Sequence, residues 1–398
     1  MNAFLLWVVQ AHAESGEKTF WLPEQASTLA SQTDETFYFI YWVSIVFFII
    51  LMGAMLWFAW VYRKKSDGEK TLDLKGSHVV EFIWAVFPSF LLIAMFVMGF
   101  KTYVFSIIPP ADSMEVLVTG AQWNWSYQYP DSGVNIASSE ALVIPKGKAV
   151  RLKMVSTDVI HSYYVPDFRV KKDVVPNRYS MLWFETTGEL TGGQAYMYEE
   201  GGKPLSIRGC EAGDTECEDG HATKVQEQVL KHAKKNNIDV GEVKYDVHQV
   251  FCTEYCGNDH SRMLSKIVVL DEKHFDIWID SQKNYSVWED EQYMVDGKPD
   301  TVKIGSVIAK SKGCKSCHEQ SDYPQWSSLF DGSGTGVERG VDGGSPVVAD
   351  AAYIIESVRY PGNKIVSGYG AKKMNAYPES MLSEKDLGAI IDYMKSLK

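Results

Sequence analysis

The sequence predicts a membrane-anchored multidomain chain: two transmembrane helices, then an all-β domain, then an all-α domain. Three observations predict it. Two N-terminal stretches, Phe37 to Tyr62 and Phe82 to Phe100, carry no charge. Between Met114 and Leu270, short apolar or alternating runs are separated by Gly, Pro, Asn and Asp, the pattern of a sandwich or barrel. Near the C-terminus, Leu387, Ile390, Ile391, Met394 and Leu397 fall on one helical face. The mean hydropathy of -0.16 reads as that of a soluble protein only because the apolar residues are so unevenly distributed.

The start, MNAFLLWVVQAHA, has a short apolar run and Ala11-His12-Ala13 as a cleavage site, but no basic n-region, so residues 1–13 are a possible signal peptide. An N-terminal segment and a two-helix hairpin follow over 14–107, with spans expected at about 37–62 and 80–107. As a helix, Phe37 to Tyr62 is about 39 Å long, enough to cross a bilayer with tilt. Arg63, Lys64, Lys65, Lys70 and Lys75 lie between the spans, which places that loop in the cytoplasm and both termini outside. Glu81 stands at the cytoplasmic edge of the second span. An ionisable group at that depth is costly unless it faces protein or water, so it is either a functional residue or an interfacial helix start. Pro88 is expected to kink the helix.

Strands are expected over Met114 to Thr119, Val150 to Val155, Ser180 to Glu185, Tyr245 to Phe251 and Lys266 to Leu270, within a domain spanning 108–285. The stretch FCTEYCGNDHSRM, Phe251 to Met263, brings two thiols, an imidazole and a thioether within reach of one another. Soft sulfur ligands with imidazole favour copper. Structural zinc wants four Cys or His ligands, and Cys252, Cys256 and His260 supply three, with Met263 as a thioether. His161, in VIHSYYVPD, is the best additional ligand, at a strand-to-loop junction after the run Val150, Leu152, Met154. The competing reading is a disulfide between Cys252 and Cys256.

A second signature is GCKSCH, Gly313 to His318. Cys-x-x-Cys-His reads as covalent c-type haem attachment through Cys314 and Cys317, with His318 on the iron. Residues 302–398 suffice for a small c-type cytochrome domain, ending in a helix capped by Ser383 with Asp386 three residues on. Its sixth iron ligand is to be sought among Met374, Met381 and Met394. Residues 286–301, acidic and containing Gly297 and Pro299, read as a linker. A tethered donor acts at high effective concentration.

The pattern Cys-x-Glu-x-Cys-Gly-x-x-His-x-x-Met, with an upstream Ile-His-Ser in a β-rich domain, resembles the dinuclear CuA site of cytochrome c oxidase subunit II. The resemblance covers roughly Thr36 to Asp280, and a fused cytochrome c accounts for most of the rest. It implies a cupredoxin-like Greek-key fold. It implies two coppers bridged by Cys252 and Cys256, with His161 and His260 on the metals and Met263 and the carbonyl of Glu254 as weak outer ligands. The carboxylate of Glu254 resembles a ligand to magnesium at a subunit boundary, Trp123 in AQWNWSYQYP the point of electron entry, and Glu81 the mouth of a proton pathway. Met374 sits where fused cytochromes of this family carry their ligand, although the usual following Pro is here Asn375. The implied activity is that of a proton-pumping cytochrome c oxidase, with this chain passing electrons from haem c through CuA to a separate subunit I that reduces oxygen. Subunit III, and an external c-type cytochrome or another respiratory complex as donor, are further expected partners. The expected location is the bacterial inner membrane, multi-pass, with both soluble domains on the outer side.

Three other readings compete. They are the copper subunit of a nitric oxide reductase, a thioredoxin-like copper chaperone, and a free-standing membrane electron carrier. The chaperone should lack Met263 and the haem motif and follow a βαβ pattern. The family pattern is interrupted over about 190–243, where VQEQVLKHAKKNNI reads as a short basic helix and Cys210 and Cys217 remain as a disulfide or an extra metal site near His221. A partner-docking surface is the expected role. The net charge of -12 points away from nucleic acid and toward a basic donor.

Overall fold

The structure, a computed structural model, describes residues 19–66, 76–136, 141–190, 199–200, 203–204, 220–283, 285–318, 324–331, 333–370, 374, 376–379 and 381–397. The possible leader, Lys70, Lys75, Asn375 and the pair Cys210 and Cys217 lie outside them.

Two helices, α1 (Thr28–Val61) and α2 (His78–Ile107), form the N-terminal hairpin. Helix α1 starts well before its uncharged run because Ser27 caps it, its hydroxyl accepting from Ala30 N at 3.1 Å. At 34 residues α1 is about 51 Å long, so its first turns project beyond a hydrocarbon layer. Those turns bury Leu29, Ala30, Asp34, Tyr38 and Phe39, whereas Phe48, Leu51 and Trp60 on α1 and Phe82, Phe87 and Phe96 on α2 are exposed. An apolar surface this continuous is satisfied only in lipid. Tyr38 and Phe39 pack on Ala94, Met95 and Met98 of α2, and the hydroxyls of Thr36 and Thr102 lie 3.1 Å apart between the helices.

The β domain is a sandwich of two five-stranded sheets. One has the order β3-β2-β1-β5-β8, built from β1 (Met114–Ala121), β2 (Asn124–Tyr129), β3 (Val134–Ile136), β5 (Ala149–Ser156) and β8 (Ser180–Glu185). The other has the order β4-β12-β11-β6-β7. Its strands are β4 (Leu142–Pro145), β6 (His161–Val165), β7 (Val170–Val174), β11 (Tyr245–Cys252) and β12 (Leu264–Leu270). A two-residue ladder, β9 (Glu199–Glu200) with β10 (Lys203–Pro204), lies between β8 and β11 in the chain. Alternation sends Val116, Val118, Leu152 and Met154 of the parallel pair β1 and β5 into the core, each without exposed surface. The five expected strands all form, each within two residues of its expected ends. Helix α3 (Gly220–Lys235), the expected basic helix, packs Val225, Val229 and Ala233 into the same core beside α4 (Glu272–Lys283).

The C-terminal part is a small helical domain of α5 (Thr301–Ser311), α6 (Cys314–His318), α7 (Ala351–Arg359) and α8 (Glu384–Ser396). Helices α5 and α8 cross at Gly305, where an added Cβ would stand 1.9 Å from the Ala389 carbonyl oxygen. Ser383 caps α8 as expected, accepting from Asp386 N at 3.1 Å, and Leu387, Ile390, Ile391 and Met394 are buried. The stretch expected to be a linker contains a hairpin of its own, Met294–Val295 against Lys298–Pro299, with Asp296 and Gly297 at positive φ in the turn.

Candidate metal centre

The candidate metal ligands are gathered at one end of the sandwich by strand pairing. β11 ends on Cys252, the chain leaves through residues 253–263, and it re-enters beside itself as β12, where Phe251 faces Leu264. The loop is closed at its neck by Cys252 N donating to Met263 O at 3.2 Å. On the other edge of β11, Cys252 pairs with Tyr163 of β6, and Thr253 N donates to Ser162 O at 3.0 Å. That register brings His161 against Cys252. His161 is the first residue of β6 rather than the close of the run ending in Met154, because residues 157–160 turn the chain into the second sheet.

Within this loop Cys252 Sγ lies 3.8 Å from Cys256 Sγ, 3.9 Å from His161 Nδ1 and 3.4 Å from the Glu254 carbonyl oxygen. Cys256 Sγ lies 3.4 Å from His260 Nδ1 and 3.8 Å from Met263 Sδ. The thiol separation is far from the ~2.05 Å of a disulfide. It suits two sulfurs sharing a metal, since ligands at about 2.3 Å can stand no more than about 4.6 Å apart. His161 and Met263 have no exposed surface, and Cys252 and Cys256 are buried. A His, two Cys and a thioether closed off from water form a soft donor set of the kind that copper takes.

The electrostatics of the pair agree. Cys252 is pushed down to about 3, first by its hydrogen bond with Cys256 and then, against desolvation, by bonds with His161 and with the backbone of Ser162 and Glu254. Cys256 is raised by the same neighbour and by burial. The pair gives up its first proton readily and its second with difficulty, because two adjacent anions repel. A cation between the sulfurs removes that penalty.

Two residues hold the ligands in place, and sequence reasoning passed over both. Asp158 Oδ1 sits 2.8 Å from His161 Nε2, so Nδ1 is turned toward the sulfurs. Burial raises the Asp158 carboxyl, but this is outweighed by His161 and by the amides of Gln122 and Val159, and its net shift is downward. Burial likewise lowers the His161 ring, and Asp158 and Cys252 more than offset it to give a net rise. Gln122 donates from its side chain to the Cys256 carbonyl at 2.6 Å. The neighbouring Trp123 is buried, 6% exposed. Gly257 of the loop, at φ +119, lies so close that an added Cβ would meet Gln122 Nε2 at 2.9 Å and Trp123 Cζ2 at 3.1 Å. The β1–β2 turn thus clamps the ligand loop with an indole against it.

Two family models match in chain order. The transmembrane domain of cytochrome c oxidase subunit II matches residues 15–102, and its periplasmic domain matches residues 132–195. Both matches are to cytochrome c oxidase subunit II. It is 26% identical over 232 residues to a cytochrome c oxidase subunit 2 of Thermostichus vulcanus, covering 43% of this chain and 70% of the relative. To that of Cereibacter sphaeroides it is 28% identical over 203 residues, covering 41% and 66%. With that of Bacillus subtilis it shares 23% identity over 375 residues, covering 89% and 83%. By these matches the chain reads as a membrane-anchored subunit II whose helical hairpin is followed by a β sandwich.

The family matches cover the hairpin and residues 132–195 of the β domain, and the C-terminal signature stands on its own geometry. Cys314, Cys317 and His318 occupy the short helix α6, and neither thiol is in a disulfide. His318 stacks on Trp326 at 5.1 Å and 16°, and its Nδ1 lies 2.8 Å from the Pro324 carbonyl, which leaves Nε2 as the ring's other ligand atom. Burial lowers the His318 pKa and pushes Cys314 up to about 12, so both groups are neutral. A cavity of about 300 Å³ lies beside Pro324, lined also by Ser328, Arg339, Val366 and Tyr369. Of the candidate methionines, Met374 and Cys314 pack against the same core, Met394 is inside it at 2% exposure, and Met381 is 55% exposed.

Two expected site residues lie away from the ligand loop or face out of it. Glu81 is in the first turn of α2, its carboxylate 3.3 Å from His78 Nδ1, at the opposite end of a helix about 45 Å long from the end that leads into the β domain. Glu254 turns its carbonyl toward Cys252 and is itself exposed.

Proposed function

We propose that this subunit II is the electron-transfer subunit of a proton-pumping haem-copper oxidase, passing electrons from a c-type haem through a dinuclear CuA centre to a catalytic subunit that reduces oxygen to water. The convergence of His161, Cys252, Glu254 O, Cys256, His260 and Met263 carries this reading. Copper and haem iron, when bound, supply one-electron carriers. The chain's own residues supply the rest. Cys252, Cys256, His161 and His260 would hold the copper as its strong ligands. Met263 and the Glu254 carbonyl stand as weak outer donors. A preformed, dry cage held by Asp158, Gln122 and Gly257 limits how far ligands move when charge changes.

On the C-terminal domain, Cys314 and Cys317 would attach the haem, and His318 and Met374 would hold its iron. Trp123, packed on the ligand loop, offers a π-surface for electron entry, and Glu81 a carboxylate at the cytoplasmic end of α2 for proton entry in a partner subunit. A magnesium at Glu254 would need the partner's ligands, because one exposed carboxylate fills little of an octahedral shell. Subunits I and III, an external cytochrome c or another respiratory complex, and the bacterial inner membrane complete the setting.

Metal analysis and electron paramagnetic resonance on the purified chain test this. Two coppers with hyperfine structure from one equally shared electron, plus one low-spin c haem, are expected. One copper with an ordinary mononuclear signal would overturn the dicopper assignment.

A further inference from the structure

The stretch between the copper and haem domains has partners on both sides. Val287, Trp288 and Tyr293 pack on the core of the helical domain. Trp288 Nε1 donates to Asp386 Oδ1 at 2.8 Å, and Lys385 Nζ lies 4.0 Å from the Trp288 ring centroid. Asp386 also holds the cap residue of α8, its Oδ2 accepting from Ser383 Oγ at 2.8 Å. On the other side, Asp290 accepts from Lys231 Nζ of α3 at 3.4 Å while its oxygens also bind Gln292 N and Nε2. Helix α3 is anchored in turn. His232 Nε2 meets Asp280 of α4 at 3.0 Å, Trp278 Nε1 donates to Gln228 at 3.0 Å, and Val225, Val229 and Ala233 are buried in the sandwich core.

The haem-attachment end of the helical domain also touches the copper domain. Gly313, at φ +74, has no room for a side chain, because an added Cβ would lie 2.7 Å from Asn124 Nδ2. Asn124 directly follows Trp123, and Cys317 packs against the sandwich core. Two separate contacts thus join the domains, one at the attachment segment and one through residues 285–300.

We propose that helix α3 and residues 285–300 form a brace that holds the C-terminal domain seated on the copper domain, with Lys231, Trp288 and Asp290 as positioning residues. The insertion's helix then serves an intramolecular partner rather than an external one, and the stretch acts as a strut rather than a loose tether. In its electron-transfer consequence the brace rests on the proposed haem-to-copper reading: a seated donor keeps one distance to the ligand loop, so transfer needs no domain search.

Limited proteolysis of the full chain in detergent with a glutamyl-specific protease tests the brace without reference to cofactors, because Glu289 and Glu291 are exposed within it. Wild type should resist cleavage there. Trp288→Ala, which loses a hydrogen bond to a carboxylate and a cation–π contact, should be cut about tenfold faster or more. Lys231→Ala should show a smaller increase that Lys231→Arg reverses. Cleavage of wild type as fast as Trp288→Ala would overturn the brace. Flash reduction of the C-terminal haem should reduce copper at a rate independent of viscosity in wild type and dependent on it in Trp288→Ala, with haem and copper spectra unchanged. A viscosity-dependent wild type would also overturn it. A purified chain without haem would remove the electron-transfer reading and leave the cleavage result to decide the brace alone.

Discussion

The smallest decisive unit is the pair of ring nitrogens on His161. Asp158 fixes which of them faces Cys252, and groups behind a metal-bound histidine commonly control affinity as strongly as some ligands do. Asp158→Asn keeps the shape but weakens the orienting bond, so copper affinity should fall roughly 10- to 100-fold, measured by competition with a chelator. The candidate ligands were legible because a spacing of Cys, Cys, His and Met within one loop is a local pattern. Asp158 and Gln122 were not, because their role comes from β1, β5 and β6 meeting across two sheets. Gly257 stood in the motif as a letter, and only its φ of +119 and the nearness of Trp123 explain why nothing larger fits.

At the level of elements, the strands that read clearly are those with long apolar or alternating runs, such as Val150 to Val155. β3 and β4 are short, and β6 and β7 carry the polar ligand and lysine positions, so their hydrophobic pattern was weak. The helical domain depends on one close crossing. Gly305→Ala places a methyl 1.9 Å from the Ala389 carbonyl oxygen, so α5 and α8 must separate. Overpacking of this kind typically costs about 1–3 kcal/mol, and the rigid backbone on both sides puts this case at the upper end. Thermal unfolding of the domain followed by circular dichroism should show it. The brace should also be pH-sensitive. Burial alone would raise the Asp290 carboxyl, but Gln292 and Lys231 hold it below the usual range. A depressed carboxylate stabilises the fold fully above its unfolded value of about 4 and loses that contribution as pH falls through the lower folded value. Cleavage at Glu289 should therefore be slow near neutrality and speed up at acidic pH, read with a protease active there, and Asp290→Asn should lose most of that dependence.

For the whole molecule, the question is what fixes the copper domain over the membrane. Nothing in the sequence pattern pointed to Asp34 and Arg169, which lie far apart in the chain and look like ordinary surface charges. In the structure they are buried, with side chains 3% and 6% exposed. Arg169 Nε and Nη2 each bind Asp34 at 2.8 Å, and the remaining guanidinium protons reach the carbonyls of Pro23, Glu24 and Pro166. Ala26 N and Ser27 Oγ add bonds to Asp167 O and Phe168 O. The segment entering α1 is thereby sewn to the loop between β6 and β7, immediately beyond the strand that begins with His161. Removing one member of a buried ion pair leaves the other charged and unpaired, which costs about 3–5 kcal/mol. Asp34→Ala should lower the stability of the detergent-solubilised chain by that order. Arg169→Lys should fare little better, since an ammonium cannot reproduce the fork or reach three carbonyls. Replacing both residues with apolar ones of similar size should recover part of the loss, which denaturant titration of the two single variants and the double variant would measure. Equal destabilisation by the double and the single changes would mean that the carbonyl contacts of Arg169, rather than its pairing with Asp34, hold the copper domain to the membrane helix.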